Sequence, residues 1–300
     1  MEQIELEVPA SLDGARVDKV IAEVLGLSRA SASLVVEAGV KLDQVDARAS
    51  DRVRGGQIIR CQSPEESAPL VAEAVPFDVL YEDDHLAVVD KPAGVVVHPG
   101  SGRTGGTLAA GLLNRYPELE GVGAGDRWGL VHRLDKDTSG AILVGRTREA
   151  FEALVDELRG RQIVRTYTAL VEGRMGAPTG TIDAPIGRDP VQPTRRALAH
   201  GGKHARTHYE VMRYLEESDV SLLSVRLETG RTHQIRVHLA AIGHPVVGDR
   251  VYGATRKDLG SPRTFLHASR LEFTHPETRE RVTVEAPLPD DLATVLHRLA

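Results

Sequence analysis

The stretch WGLVHRLDKDTSGAILV, residues 128–144, decides the fold. Two short apolar runs, 129–131 and 141–144, flank a polar island, and apolar runs of this length beside glycine are typical of strand edges. The island, residues 132–139, is too polar for a core and contains the Asp, Thr and Ser residues that favour a tight turn. Composition alone predicts a hairpin connection with solvated charges, so a function for it must be argued from other features.

The string HRLDKDTSG, residues 132–140, resembles the signature of the RluA/RluD family of RNA pseudouridine synthases. Two other segments are similar to motifs of the same family, RTYTALVEG at 165–173 and GRTHQIR at 230–236. This resemblance is strong over residues 79–285. It implies that the chain isomerises uridine to pseudouridine in RNA. It also implies that no metal or other cofactor is needed, because the reaction neither oxidises nor hydrolyses its substrate.

The resemblance further implies roles for individual residues. Asp135 is the catalytic carboxylate, and Arg236 is the nearby cation that keeps it ionised. Tyr167 stacks on the uracil and takes part in removing its C5 proton. Arg133 enters the RNA helix where the target uridine is flipped out. The other predicted RNA contacts of this region are His132, Arg231 and Ile235.

The segment KPAG, residues 91–94, is similar to the first motif of the family, a turn that shapes the floor of the site. A structural role is predicted for Pro92 and Gly94, whereas Lys91 and His98 are candidate RNA contacts.

A helix that begins after a Thr232 cap is predicted to present Ile235, Leu239 and Ile242 on one face. 

Metal binding is not predicted. His233 and His238 are five residues apart, a spacing that separates them on a helix. The single cysteine, Cys61, excludes an internal disulfide and a cluster of several cysteine ligands.

Residues 15–61 form a separate unit in the sequence pattern. Apolar residues recur at helical spacing over 17–25, a second helix ends near Gly39, and a strand starts at Val40. A hairpin is predicted around 54–57. This order resembles the S4 RNA-binding domain, although a small helical cap with ordinary surface bases has the same pattern. The S4 resemblance implies phosphate contacts from three basic residues, Arg16, Lys19 and Arg29.

The predicted domains are an S4-like RNA-binding domain at 1–62, a Pro- and Glu-rich linker at 63–76, and a catalytic domain at 77–300. The fold class is α+β: a small N-terminal S4-like α/β domain and a large catalytic domain built on a mixed, mainly antiparallel β-sheet. Within the catalytic domain the pattern predicts helices over 107–116 and 148–158. The Pro- and Arg-rich residues 179–198 are predicted to be a long loop.

Charge is segregated along the chain, although the net charge is −6 at pH 7. Residues 63–85 contain seven acidic residues and no Lys or Arg, whereas 187–214 and 226–257 each contain six basic residues against two acidic ones. This distribution is compatible with a basic RNA groove on an acidic body. Since the sequence has no long apolar run and no signal pattern, we expect a monomeric cytoplasmic protein.

Three alternatives remain open at this stage. The RNA substrate is expected to be large-subunit ribosomal RNA, but members of the family also modify tRNA. An S4-like module with basic segments is sufficient for a protein that only binds RNA. Finally, Asp135 and Asp137 share a face if they lie on one strand, which would suit the two carboxylates of a glycosidase.

Overall fold

The structure is a computed structural model that describes residues 3–27, 29–62, 70–99, 105–123, 127–192, 194–256 and 259–300. The chain divides into two compact units. The first extends up to Val71, and the second comprises Ala72–Val122 and Trp128–Ala300. No helix in these segments is long and apolar enough to cross a membrane.

The first unit contains two helices and four strands among its described residues. They are β1 (Gln3–Glu7), α1 (Val17–Val24), α2 (Arg29–Glu37), β2 (Val40–Leu42), β3 (Val45–Asp46) and β4 (Ile58–Gln62). The strands form one antiparallel sheet in the order β1-β4-β2-β3. Val17 and Ile21 of α1 and Val35 of α2 are buried with Ile59 of β4 in a single apolar core.

The hairpin predicted around 54–57 is wrong. The strand that follows this turn, β4, pairs with β2 and with β1, a strand that was not predicted from the sequence. The hairpin of this unit instead joins β2 to β3 through Asp43 and Gln44, whose φ angles are 47° and 75°. Two consecutive positive φ angles are characteristic of the type I′ turn that fits the twist of paired strands.

The second unit contains most of the chain. Its elements are β5 (Asp78–Glu82), β6 (Leu86–Lys91), α3 (Leu108–Arg115), β7 (Ser139–Gly145), α4 (Arg148–Arg159), β8 (Val164–Glu172), β9 (Thr179–Asp183), β10 (Ile186–Arg188), β11 (Arg196–Leu198), β12 (Arg206–Leu215), β13 (Val220–Leu227), α5 (Gln234–Ala241), β14 (Leu266–Thr274), β15 (Arg281–Glu285) and α6 (Asp290–Leu299).

Nine of these strands form one sheet in the described part of the chain. The order is β5-β6-β7-β14-β8-β13-β12-β9, and β15 pairs with β14. The pair β7–β14 is parallel and the other pairs are antiparallel. The α+β class with a mixed, mainly antiparallel sheet is therefore confirmed.

The predicted helices at 107–116 and 148–158 are confirmed, with α3 and α4 in these places. Each begins at a threonine whose hydroxyl oxygen accepts a hydrogen bond from a backbone N–H of the first turn, Thr107 from Ala110 and Thr147 from Ala150. The long loop predicted at 179–198 is wrong, because this segment contains β9, β10 and β11. These strands are short and flanked by prolines, and β9 is defined by pairing with the distant β12.

The motif HRLDKDTSG, residues 132–140, ends in β7, and every residue of this strand is buried. Gly140 in this strand has a φ of 117°, and a Cβ atom there would collide with the backbone of Ala268 in β14. Only glycine allows both this conformation and the close approach of the two parallel strands. The polar island ends at Ser139, the first residue of this buried central strand.

Candidate active site

Asp135 lies on a tight turn directly before β7. The backbone N–H of Thr138 donates to the Asp135 carbonyl at 3.2 Å, which closes the turn. The side chain of Asp135 is 18% exposed. It lines a cavity of about 480 Å³, to which Tyr167 and Arg236 also contribute. Three residues from separate sequence motifs thus meet at one cavity.

Arg236 connects Asp135 to a second carboxylate. Its Nη1 donates to Asp135 Oδ2 at 3.1 Å, while Nε and Nη2 donate to the two oxygens of Asp249 at 2.6 and 2.9 Å. Asp249 is fully buried. Burial opposes the charge of Arg236, but the bonds to Asp249 and Asp135 raise its pKa above the ordinary value. The guanidinium therefore stays charged beside Asp135.

The start of α5 determines where Arg236 points. The residue that caps this helix is His233, with a φ of 58°, so the predicted Thr232 cap is wrong. The buried side chain of Gln234 accepts from the Thr229 hydroxyl and the Arg231 N–H, and it donates to the Arg206 carbonyl and the Thr207 hydroxyl. This network attaches the first turn of α5 to β12 and was not predicted from the sequence.

His233 lies next to Asp135 rather than at a metal site. Its Nε2 is 4.0 Å from Asp135 Oδ1, and its Nδ1 is 2.7 Å from the Tyr252 hydroxyl. Burial lowers the pKa of His233. The described residues contain no group of His, Cys, Asp and Glu side chains able to hold a metal ion.

Tyr167 lies on the inward face of β8 and is 5% exposed. Burial raises the pKa of its hydroxyl, which therefore carries a proton at neutral pH. Arg165, two residues earlier on the strand, shares this face and lines the same cavity.

His132 lines the cavity but is 9% exposed. Its Nε2 accepts a hydrogen bond from the backbone N–H of Leu143 at 3.2 Å. Burial and the nearby Arg165 lower the pKa of His132 to about 3, so it is uncharged at neutral pH. Ile235 is also buried against the cavity, whereas Arg231 is exposed and donates from Nε to the His204 carbonyl at 2.9 Å.

Arginine is the main charged residue around the cavity. Among the described residues that line it, the carboxylates are Asp135 and Glu228. The predicted contact Arg133 is exposed and lies at this cavity. The full set of lining arginines is Arg133, Arg159, Arg161, Arg165, Arg231 and Arg236. The cavity is therefore suited to a polyanion.

Lys91 is fully buried, so its predicted contact with RNA is wrong. Its Nζ donates to the carbonyl oxygens of Pro92, Val95 and Lys136 at 2.8, 2.9 and 3.0 Å. The N–H of Gly94 donates to the same Lys136 carbonyl at 2.8 Å. Lys91 thus fixes the turn at 91–94 to the loop that contains Asp135.

Asp137 does not form a carboxylate pair with Asp135. The two residues lie on a turn and not on a strand, so they do not share a face. Asp137 is exposed and is not among the described residues that line the cavity. The geometric basis of the glycosidase alternative is therefore absent.

Two of the three predicted RNA contacts of the first unit, Arg16 and Lys19, lie at α1, and Arg29 is the first residue of α2. Lys19 is exposed. Arg16 caps α1 and donates from Nε and Nη2 to Asp18 at 2.9 and 2.8 Å, which partly neutralises its charge. The side chain of Arg29 lies outside the described residues.

The fold and the site together define a class of protein. One carboxylate, fixed by a guanidinium, shares an arginine-rich cavity with a buried tyrosine. The cavity has room for one nucleoside, and arginines are suited to the phosphates around it. These features are those of an enzyme that modifies a base of a nucleic acid.

Comparison with known proteins identifies the family. Residues 85–241 match the family model described as RNA pseudouridylate synthase. A protein of Nitrosomonas europaea named ribosomal large subunit pseudouridine synthase D is 46% identical, over 99% of this chain and 88% of its own length. An uncharacterized RNA pseudouridine synthase of Chloroflexus aurantiacus is 47% identical, over 99% of this chain and 94% of its own.

A solved structure agrees with this assignment. Human RNA pseudouridylate synthase domain containing 1 is 28% identical, with a TM-score of 0.57, over 76% of this chain and 96% of its own length. The chain belongs to the RNA pseudouridylate synthase family, within the RluA/RluD group. It is an isomerase that converts uridine to pseudouridine in RNA.

Proposed function

We propose that this enzyme modifies uridines of large-subunit (23S) ribosomal RNA and that Asp135 is its catalytic carboxylate. The observation that carries the proposal is the 3.1 Å bond from Arg236 to Asp135 in the cavity shared with Tyr167. The proposed substrate is supported by the names of relatives that align over nearly the whole chain, such as the Nitrosomonas europaea protein.

The chemistry assigns a distinct task to each group. The reaction breaks the bond between C1′ and N1, turns the uracil, joins C5 to C1′, removes the C5 proton and returns a proton to N1. Asp135 acts on the ribose as a carboxylate, and Arg236 holds it ionised and oriented. Tyr167 stacks on the uracil and takes part in removing the C5 proton. Each atom of the substrate is retained, so no cofactor or metal takes part.

The target uridine enters the cavity by base flipping. Flipping costs a few kcal/mol of unstacking and is least costly in loops that are partly open. Arg133 lies exposed at the cavity and fills the space in the RNA that the flipped base leaves. Arg231 contacts the adjacent backbone, while His132 and Ile235 form the walls around the base. A structured RNA loop is therefore the expected target.

The first unit provides RNA contacts of its own. We assign residues 1–62 to an S4-like RNA-binding domain, 63–76 to a linker and 77–300 to the catalytic domain. Lys19, Arg16 and Arg29 are its phosphate contacts. The enzyme acts as a monomer in the cytoplasm, where ribosomal RNA is made.

Pseudouridine mapping tests the substrate. Ribosomal RNA and tRNA from cells with and without the gene would be mapped chemically for pseudouridine. Loss of marks confined to large-subunit RNA supports the proposal. Loss of marks in tRNA contradicts the substrate but keeps the activity.

Complementation with Asp135→Asn tests the catalytic residue. The amide is nearly isosteric and still offers Arg236 a carbonyl oxygen, so the protein should fold and bind RNA. Without a carboxylate the marks should remain absent, whereas the wild-type gene restores them. Restored marks with the variant would contradict the role of Asp135.

A further inference from the structure

A second buried arginine in the cavity has no partner. Arg165 is 7% exposed. Among the described residues, no carboxylate lies within ion-pair distance of its guanidinium, and its buried Nε has no hydrogen-bond partner. It differs in this respect from Arg236, whose nitrogens bind Asp249 and Asp135.

The isolation of Arg165 is energetically unfavourable. A buried charge without a partner costs several kcal/mol, because water no longer solvates it. Burial accordingly lowers the pKa of Arg165, and the nearby Tyr167 hydroxyl opposes this only in part. His132 offers no compensation, since it is neutral. A buried cation without an ionic partner is expected in a cavity whose ligand brings negative charge to that cation.

RNA offers two negative groups, the phosphate and the uracil ring once it leaves the ribose. Phosphates stay on the backbone outside, where the exposed Arg133 and Arg231 can reach them. Arg165 lies instead on the inward face of β8, two residues from Tyr167. If Tyr167 stacks on the uracil, as in the proposed function, the guanidinium lies beside the ring. The position favours the base over the phosphate.

We propose that Arg165 stabilises the negative charge that develops on the uracil when the glycosidic bond breaks. The electron pair of the C1′–N1 bond moves to N1 and spreads to O2 and O4 of the ring. The same ring then attacks C1′ through C5, the proton on C5 is removed, and N1 takes up a proton. Arg165 provides a preorganised cation during the anionic stage, from a buried position in the wall of the cavity. The inference rests on the proposed placement of uracil against Tyr167.

Substitution of Arg165 tests the proposal. Arg165→Met keeps an unbranched side chain as far as the position of Nε and removes a charge without a partner, so the melting temperature should not fall. Its single-turnover rate at saturating RNA should fall about 100-fold, the usual loss for one donor to a developing anion. The RNA dissociation constant should stay within about threefold. Arg165→Lys should restore most of the rate, because it restores the charge.

Two results would overturn the proposal. A weaker dissociation constant with a salt slope lower by about one, at an unchanged saturated rate, would assign Arg165 to a phosphate. An unchanged rate and affinity would leave Arg165 without a role in the reaction. Arg270→Met is the matched control, since Arg270 is exposed on β14 and pairs with Glu272 outside the cavity. Asp135→Asn in the same assay separates failure of this inference from failure of the proposed active site.

The acidity of the leaving uracil provides a test that distinguishes charge stabilisation by Arg165 from a purely structural role. An RNA with 5-fluorouridine at the target position carries a more acidic base, which leaves more readily. The deficit of Arg165→Met, measured as consumption of the target nucleoside, should be smaller on this RNA than on the uridine RNA. An equal deficit on both RNAs would contradict charge stabilisation.

Gly230 allows Arg165 to be displaced without being removed. A Cβ atom at Gly230 would lie 2.7 Å from Nη1 of Arg165. Gly230→Ala should therefore push the guanidinium aside and lower the rate, and it should lower it little further in the Arg165→Met background. Additive losses in the double variant would show that the two positions act independently and would contradict the geometry.

Discussion

The guanidinium of Arg236 is held by Asp249, a fully buried carboxylate, and only its remaining Nη1 reaches Asp135. Asp249 Oδ1 also accepts hydrogen bonds from the backbone N–H groups of Val251 and Tyr252 at 3.0 and 3.2 Å. The orientation of the candidate catalytic carboxylate thus depends on Asp249, a buried residue that is not among those lining the cavity.

Asp249→Asn should damage both activity and stability. The amide cannot accept both bonds from Arg236, and removal of one charge from a buried pair typically costs about 3–5 kcal/mol. We expect a lower melting temperature and a loss of about 100-fold in the turnover rate, since Arg236 no longer holds Asp135. Glu82→Gln, at the exposed ion pair with Arg115, is the control and should change the turnover rate little. A stable Asp249→Asn enzyme with full activity would contradict this dependence.

Lys91→Met should loosen the loop that contains Asp135. Three carbonyl oxygens lose their donor, so amide hydrogen exchange at residues 91–95 and 135–138 should become faster and the turnover rate should fall. An unchanged exchange pattern would contradict the linking role of Lys91.

The same variant should change how stability depends on pH. Burial lowers the pKa of Lys91 to about 8 from 10.5, so between these values the unfolded chain binds more protons than the folded one. The wild-type free energy of unfolding should therefore gain a contribution that rises with pH over this range, because the cost of the buried charge disappears. Urea denaturation from about pH 7.5 to about pH 10.5 measures the slope, which Lys91→Met should lack.

Asp83 should stabilise the fold at neutral pH and cease to do so in acid. Burial alone raises its pKa, but hydrogen bonds from Tyr81, His275 and the N–H groups of His85 and Leu86 lower it to about 2 from 3.8. The pKa of Asp83 is lower in the folded protein than in the unfolded chain, so its stabilising contribution is complete above the unfolded pKa of 3.8. The contribution disappears as the pH falls from 3.8 to about 2. Asp83→Asn should cost about 2 kcal/mol at neutral pH by this linkage. Denaturation at several pH values should show the two proteins converging as the pH falls from about 4 to about 2.

The first unit should contribute to RNA affinity mainly through Lys19. Lys19→Ala should weaken binding and lower the salt slope by about one, since one phosphate contact is lost. Arg16→Ala should change the slope less, because Asp18 already pairs with the guanidinium. Filter binding at several salt concentrations measures both slopes. Identical slopes for Lys19→Ala and the wild type would remove this residue from the RNA surface.

Local pattern was sufficient for much of the fold. Helices α3 and α4 begin at threonine caps, and β8, β12 and β13 are long strands rich in β-branched, aromatic and other apolar residues, so each carries its own signal. The strands of 179–198 do not, because β10 and β11 have only three residues each and β9 forms through pairing with the distant β12. The same reason explains why β1, which pairs with β4 across the whole first unit, was not predicted.

The sequence by itself determined the family and the three motifs, and it singled out Asp135, Tyr167 and Arg236 as residues that belong together. A motif is a short run of residues, so it can be recognised in the sequence without knowledge of the tertiary structure. Only the tertiary structure decided which charges are paired. It placed Asp249 behind Arg236, buried Lys91 under the motif loop and left Arg165 alone beside Tyr167. Whether a charged side chain is buried, and whether it has an ionic partner, depends on segments far apart in the chain. These two properties affect the free energy of the charged form more than the residue type does.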